Sequence, residues 1–139
     1  MQKSLTVSIL AWAAALSPPL PALADGHACN GIDRSLPKRL AQRFEAAARR
    51  QFDDPQAEVP QLFRYQSWTI AYVSFTKSDP GYVFYRGDPL RSHYVTIWGG
   101  AARGDEEDEI RAWAEQYARG IPTRLAACFA WHLTKDRDM

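Results

Sequence analysis

Nothing in the 139-residue sequence spells out a known reaction. It contains neither a G-x-S-x-G nucleophile elbow nor an H-E-x-x-H metal site. Histidine occurs three times, at His27, His93 and His132, and cysteine twice, at Cys29 and Cys128. Two cysteines leave one intrachain pairing and, once paired, no thiol to act as a nucleophile. Neither charge sign dominates: 17 basic residues face 16 acidic ones. A chain so balanced lacks the positive surface that nucleic acid and anionic lipid reward, which argues against both as main partners. Internal repeats and low-complexity tracts are missing. After the first two dozen residues no run is apolar enough to span a membrane.

The first 24 residues read as an export signal. Lys3 supplies a positive start, residues 5–16 (LTVSILAWAAAL) form an uncharged apolar stretch too short to cross a bilayer, and Pro18, Pro19 and Pro21 break it. Ala22-Leu23-Ala24 then gives the small-x-small pattern of a cleavage site, so residues 25–139 are expected as a single exported domain, periplasmic or secreted from a bacterium. No cysteine follows closely enough to carry a lipid anchor. In an oxidising compartment Cys29 and Cys128 are expected to pair with each other.

Residues 25–34 are polar and read as an arm held down by Cys29. Residues 35–52 alternate as an amphipathic helix: Leu36, Leu40, Phe44, Ala47 and Ala48 on one side, basic residues on the other. Ser35 is the expected cap, with Pro37 in the first turn. Residues 53–61 carry two prolines and read as a connection. Three strands are expected at residues 63–76, 82–86 and 93–98, separated by the turns Lys77-Ser78-Asp79-Pro80-Gly81 and residues 87–92. Short connections make them an antiparallel meander. A second helix is expected from Asp105 to a left-handed stop at Gly120, with Ile110, Trp113, Ala114, Tyr117 and Ala118 at the i, i+3, i+4, i+7, i+8 spacing of one helical face. A third is expected from Pro122 to about Leu133, followed by a frayed tail over residues 134–139. The fold class is therefore α+β: an N-terminal helix, a three-stranded antiparallel meander, two C-terminal helices and one disulfide.

The acidic run at residues 105–109 suits the positive end of a helix dipole better than a calcium site, which needs a folded loop of oxygens. His93 and His132 are the candidate general bases, yet neither stands near a nucleophile motif. His132 shares a helical face with Cys128 and reads as a packed histidine beside the bridge. Strand alternation puts Trp68, Ile70 and Tyr72 opposite Ala71, Val73 and Phe75, and Tyr94, Thr96 and Trp98 opposite Val95 and Ile97. Trp68, Tyr72, Tyr94 and Trp98 would then form a broad aromatic face. If helices do not cover it, such a face is a common basis for recognition.

Cleavage after Ala24 would leave Asp25-Gly26-His27 at the N-terminus. An α-amine, two backbone amides and a third-position histidine can wrap Cu(II) or Ni(II) in a square plane. The triplet resembles the amino-terminal copper/nickel motif of some secreted proteins. Without it no cofactor is expected. The leading reading is a non-catalytic exported binding protein, of inhibitor, immunity or accessory type, whose partner is a protein or small ligand. A small periplasmic hydrolase using His93 or His132 is the alternative, and copper binding the third.

Overall fold

The computed structural model describes residues 28–136. The expected signal segment and the Asp25-Gly26-His27 triplet lie outside the described residues. The first helix, α1 (Lys38–Gln51), starts two residues later than the Ser35 cap implies. A residue before proline is pushed out of helical geometry, so Leu36 cannot join and Pro37 becomes the cap position. Ser35 instead donates from its backbone N–H and its hydroxyl to Asp33 Oδ1 (2.9 and 2.6 Å). Leu36 consequently sits outside the core, 37% exposed, while Phe44, Ala47 and Ala48 are buried.

The sheet holds four strands instead of the expected three: β1 (Glu58–Tyr65), β2 (Trp68–Ser74), β3 (Gly81–Arg86) and β4 (Thr96–Gly99), antiparallel in the order β1-β2-β3-β4. The long strand expected over residues 63–76 is a hairpin. Tyr65 pairs with Trp68 around a two-residue turn in which Gln66 takes a left-handed φ of 55°. Asparagine or glycine usually marks such a turn; here a glutamine bears the strain. β1 also reaches back into the expected connection, and Pro60 is tolerated because the register shifts between Glu58 and Gln61. At the other end, β4 begins at Thr96, not His93.

Helices α2 (Glu107–Tyr117) and α3 (Thr123–Lys135) follow, separated by Gly120 with φ of 87°. α3 runs two residues past its expected end near Leu133, and residues 137–139 of the expected frayed tail lie outside the described residues. Thr134 and Lys135 belong to α3, and Thr134 Oγ1 donates to the Ala130 carbonyl at 2.9 Å.

Both faces of the sheet are covered. Phe63, Trp68, Ile70, Tyr82 and Phe84 pack beneath α2 and α3 with Ile110, Leu125 and Phe129. Phe129 meets Tyr82 and Phe84 edge-on at 5.2 and 5.0 Å, the arrangement that ring quadrupoles favour. On the other face Val59, Leu62, Ala71, Val73, Val83 and Tyr85 pack with Phe44 and Ala48 of α1. The result is helix, sheet, helices in three layers.

Two ties hold the N-terminal side in place. Cys29 is bonded to Cys128 of α3 across 99 positions, and Asp33 forms a two-hydrogen-bond bridge with Arg64 on β1 (2.9 and 2.8 Å). At the C-terminal end of α1, the buried Asp54 carboxylate accepts from Thr76 N–H (2.7 Å), the Thr76 hydroxyl (2.8 Å) and Gln56 N–H (3.2 Å). The Thr76 N–H bond leads the forces that hold its carboxyl below the ordinary carboxylate value.

Two outcomes follow from these ties. Opening a loop of this length lowers stability by up to about 4–5 kcal/mol. Cys128→Ser should therefore show a lower urea midpoint than wild type without reductant and match reduced wild type; an unchanged midpoint would contradict the bridge's role. For Asp54, a lowered folded pKa means its contribution is complete above about pH 4 and is lost as pH falls through the depressed value. In urea midpoints measured from pH 7 to pH 2, Asp54→Asn should be less stable at neutral pH and decline less steeply in acid. A parallel decline would contradict it.

Candidate functional site

The double coverage of the sheet changes what the expected site residues can do. Trp68 is core, 3% exposed, beneath α2 and α3. Tyr72 and Trp98 are half-buried at the margin of the same cluster. Tyr94 is on the opposite side, stacked on Phe52 at 4.9 Å and packed with the α1 cluster. The four therefore do not form one open aromatic face. Strand alternation misplaced Tyr94 because residues 93–95 precede the regular part of β4.

The histidines are also separated. His93 is exposed, its ring against Tyr94 at 4.1 Å and its Nδ1 3.0 Å from the Tyr94 carbonyl. His132 is buried near the bridge, its ring 4.8 Å from Phe63, with Asp136 Oδ2 and an Arg34 nitrogen each 3.5 Å from Nδ1. Among the described residues no three His, Cys, Asp or Glu side chains group to hold a metal. In the acidic run, Asp105 pairs with Arg103 at 3.2 Å, and Glu106 accepts the Arg103 backbone N–H at 2.7 Å. No described helix is long and apolar enough to cross a membrane.

The surface offers a different site. A groove of about 460 Å³ is lined by Trp68, Arg86, Val95, Gln116, Tyr117 and Arg119. Its residues come from three places in the fold. Trp68 opens β2 and is the register partner of Arg86, which closes β3. Val95 stands just before β4, tied by its N–H to the Phe84 carbonyl at 2.7 Å. Gln116 and Tyr117 end α2, and Arg119 follows in the turn that Gly120 completes.

The chemistry of the groove is mixed. The Arg86 guanidinium lies over the Trp68 ring at 5.9 Å, a cation–π contact that leaves its edge donors free for a ligand. Arg86 and Arg119 form no ion pair among the described residues; of the other described arginines Arg39, Arg50 and Arg124 also form none, and Arg50 and Arg124 donate instead to the Leu90 and Asn30 carbonyls. Tyr117 and Val95 are exposed by 52% and 42%, two of the three large apolar residues left on the described surface. Tyr117 rests on Trp113 at 5.3 Å, and Trp113 on Phe84 at 5.8 Å, so its ring is braced from the core.

Helical periodicity had assigned Tyr117 to the buried face of α2. The helix stops at Tyr117, so no further turn covers it. Arg86 and Arg119 were invisible as a pair, since only the closing of β3 against the α2–α3 turn brings them together.

A second cavity, about 440 Å³, opens at the far end of β4 among Phe52, Phe75, Ile97, Gly99 and Gly100, with Asp54 on its wall. A third, about 450 Å³, lies among Arg49, Gln56, Glu58, Ser74 and Thr76. Neither His93 nor His132 lines any of the three.

The placements of Trp68 and Tyr117 predict opposite results. Trp68→Ala should cost about 3–5 kcal/mol by opening a core cavity. Tyr117→Ala should stay within about 0.5 kcal/mol, as exposed substitutions usually do. Urea unfolding of both variants checks this, and comparable losses would contradict the assignment of Tyr117 to an open rim. Comparison with protein-family models, curated proteins and solved structures finds no match for this chain.

Proposed function

We propose that this is an exported, non-catalytic binding protein, of inhibitor, immunity or accessory type, and that it binds through the groove between the start of β4 and the end of α2. The observation that carries the reading is the coincidence, in one groove, of two arginines without carboxylate partners among the described residues and two exposed apolar side chains. Exposed apolar rings and arginine are what interface centres are enriched in. A guanidinium pair beside an apolar floor suits an anionic group, because each can grip a carboxylate through two donors.

Export is supported by the Cys29–Cys128 bond, since such bonds persist in oxidising compartments, and by the signal-like first 24 residues. The hydrolase alternative draws less support, because neither histidine lines any of the three cavities described above. Copper binding rests on the Asp25-Gly26-His27 triplet alone.

The test is capture of exported proteins on immobilised wild type and groove variants. Tyr117→Ala and Arg119→Ala should each weaken capture by about 2 kcal/mol, roughly thirtyfold, with melting temperature unchanged. His93→Ala should bind like wild type. Loss of activity in His93→Ala with both groove variants unaffected would replace the binding reading with the enzymatic one.

A further inference from the structure

We propose that the groove is one end of a longer track, on which an extended acidic segment of a partner protein adds to the outer edge of β4 as a fifth strand and sets a carboxylate between Arg86 and Arg119. This rests on the groove reading above and specifies its partner.

The two edges of the sheet are built differently. On β1, Pro60 removes a donor, the register shifts between Glu58 and Gln61, and Asp33 occupies the outer side through its bridge to Arg64. Proline, bulges and covering segments are the usual means by which proteins stop an edge strand from recruiting another chain. β4 reads Thr96-Ile97-Trp98-Gly99, with no proline, no charge and no register shift. Of such devices β4 shows its short length, four residues. Among the described residues its sole strand neighbour is β3, and no turn or loop makes a backbone hydrogen bond to residues 96–99.

Each end of this edge opens into a cavity, and the two cavities lie on opposite faces of the sheet. The arginine groove, with Trp68 and the end of α2, is on the α2–α3 side near Val95. The Phe52–Phe75–Ile97 cavity is on the α1 side near Gly99. An added strand rises about 3.3 Å per residue and turns successive side chains to opposite faces. Residues an odd number apart therefore reach the two cavities. Three positions span about 10 Å, so the fitting segment carries an acidic and an apolar residue three positions apart, in the order acidic-x-x-apolar when it runs parallel to β4. Main-chain hydrogen bonds supply affinity in this mode, and the side chains in pockets supply specificity.

Charge selects against the simplest competitor, a second copy of the chain pairing through its own β4. That strand holds no acid to offer the arginines.

The probe is the capped peptide acetyl-Thr-Glu-Thr-Thr-Val-Thr-amide, titrated into ¹⁵N-labelled protein and followed by amide shifts. The expected result is saturable binding with shifts centred on Thr96–Gly99 and Tyr117. Affinity should fall at least tenfold when Lys replaces the peptide's Glu, when alternate peptide nitrogens are methylated, or when the protein carries Arg119→Gln. Arg119 is exposed, so this variant should keep a native spectrum; Arg86→Ala, which also removes a contact to Trp68, serves as a second variant. Equal binding of the methylated peptide overturns strand addition, and the groove reading survives if Arg119 dependence persists. Equal binding of the Lys peptide overturns the acidic partner. No binding at β4, or concentration-dependent dimerisation through it, overturns the proposal outright.

Discussion

A sheet that is apolar on both faces needs two covers, and that requirement organises this molecule. β2 and β3 alternate buried residues to each side: Trp68, Ile70, Tyr82 and Phe84 one way, Ala71, Val73, Val83 and Tyr85 the other. One helix before the sheet and two after it supply the covers. The order along the chain is therefore also the order of layers, with α1 on one side and α2–α3 on the other. The connections must then be pinned, because each cover is only one or two helices wide. The Cys29–Cys128 bond fixes the N-terminal segment to α3, the Asp33–Arg64 bridge lays that segment along β1, and Asp54 clasps the end of α1 to the residue after Phe75.

Spending the broad aromatic surface on packing moves any recognition surface to the margins of the layers. β1 is closed by a bridge, a proline and a bulge. β4 is short and, among the described residues, has a strand neighbour on one side only. The end of α2 falls beside the start of β4, and the residues left there are Tyr117, Gln116 and Arg119, opposite Arg86 and Val95. The proposed binding role thus uses what the core did not consume. Two cations and a braced ring at an open sheet edge form a surface suited to an acidic extended partner.

The class of fold was legible from periodicity and punctuation. Helical spacing of Phe44, Ala47 and Ala48, and of Ile110 and Ala114, marked the covering helices, and Pro80-Gly81 and Gly120 marked real breaks. The cysteine pairing followed from there being only two. The fourth strand was not legible. Its turn is Gln66-Ser67, which carries no glycine, proline, asparagine or aspartate, and Pro60 argued against a strand where a bulge absorbs it. The site was hidden for a different reason. Large aromatic residues alternating on a strand look alike whether they face water or a helix, so the pattern left open whether Trp68 is covered. Tyr117 passed for a core residue, because helical periodicity does not say where a helix will stop. Arg86 and Arg119 become neighbours only in three dimensions.

Everything proposed about recognition depends on β4 being an open edge while β2 and β3 are sealed. Native-state amide hydrogen exchange of the free protein tests this directly. Amides of β2 and β3 are expected to exchange only through global unfolding. Those amides of Thr96–Gly99 that do not bond to β3 are expected to exchange at rates close to exposed turns such as residues 77–79. Uniform protection across all of Thr96–Gly99, equal to that of β2, would mean that the edge is already occupied, and would contradict the open-edge structure on which the binding role is built.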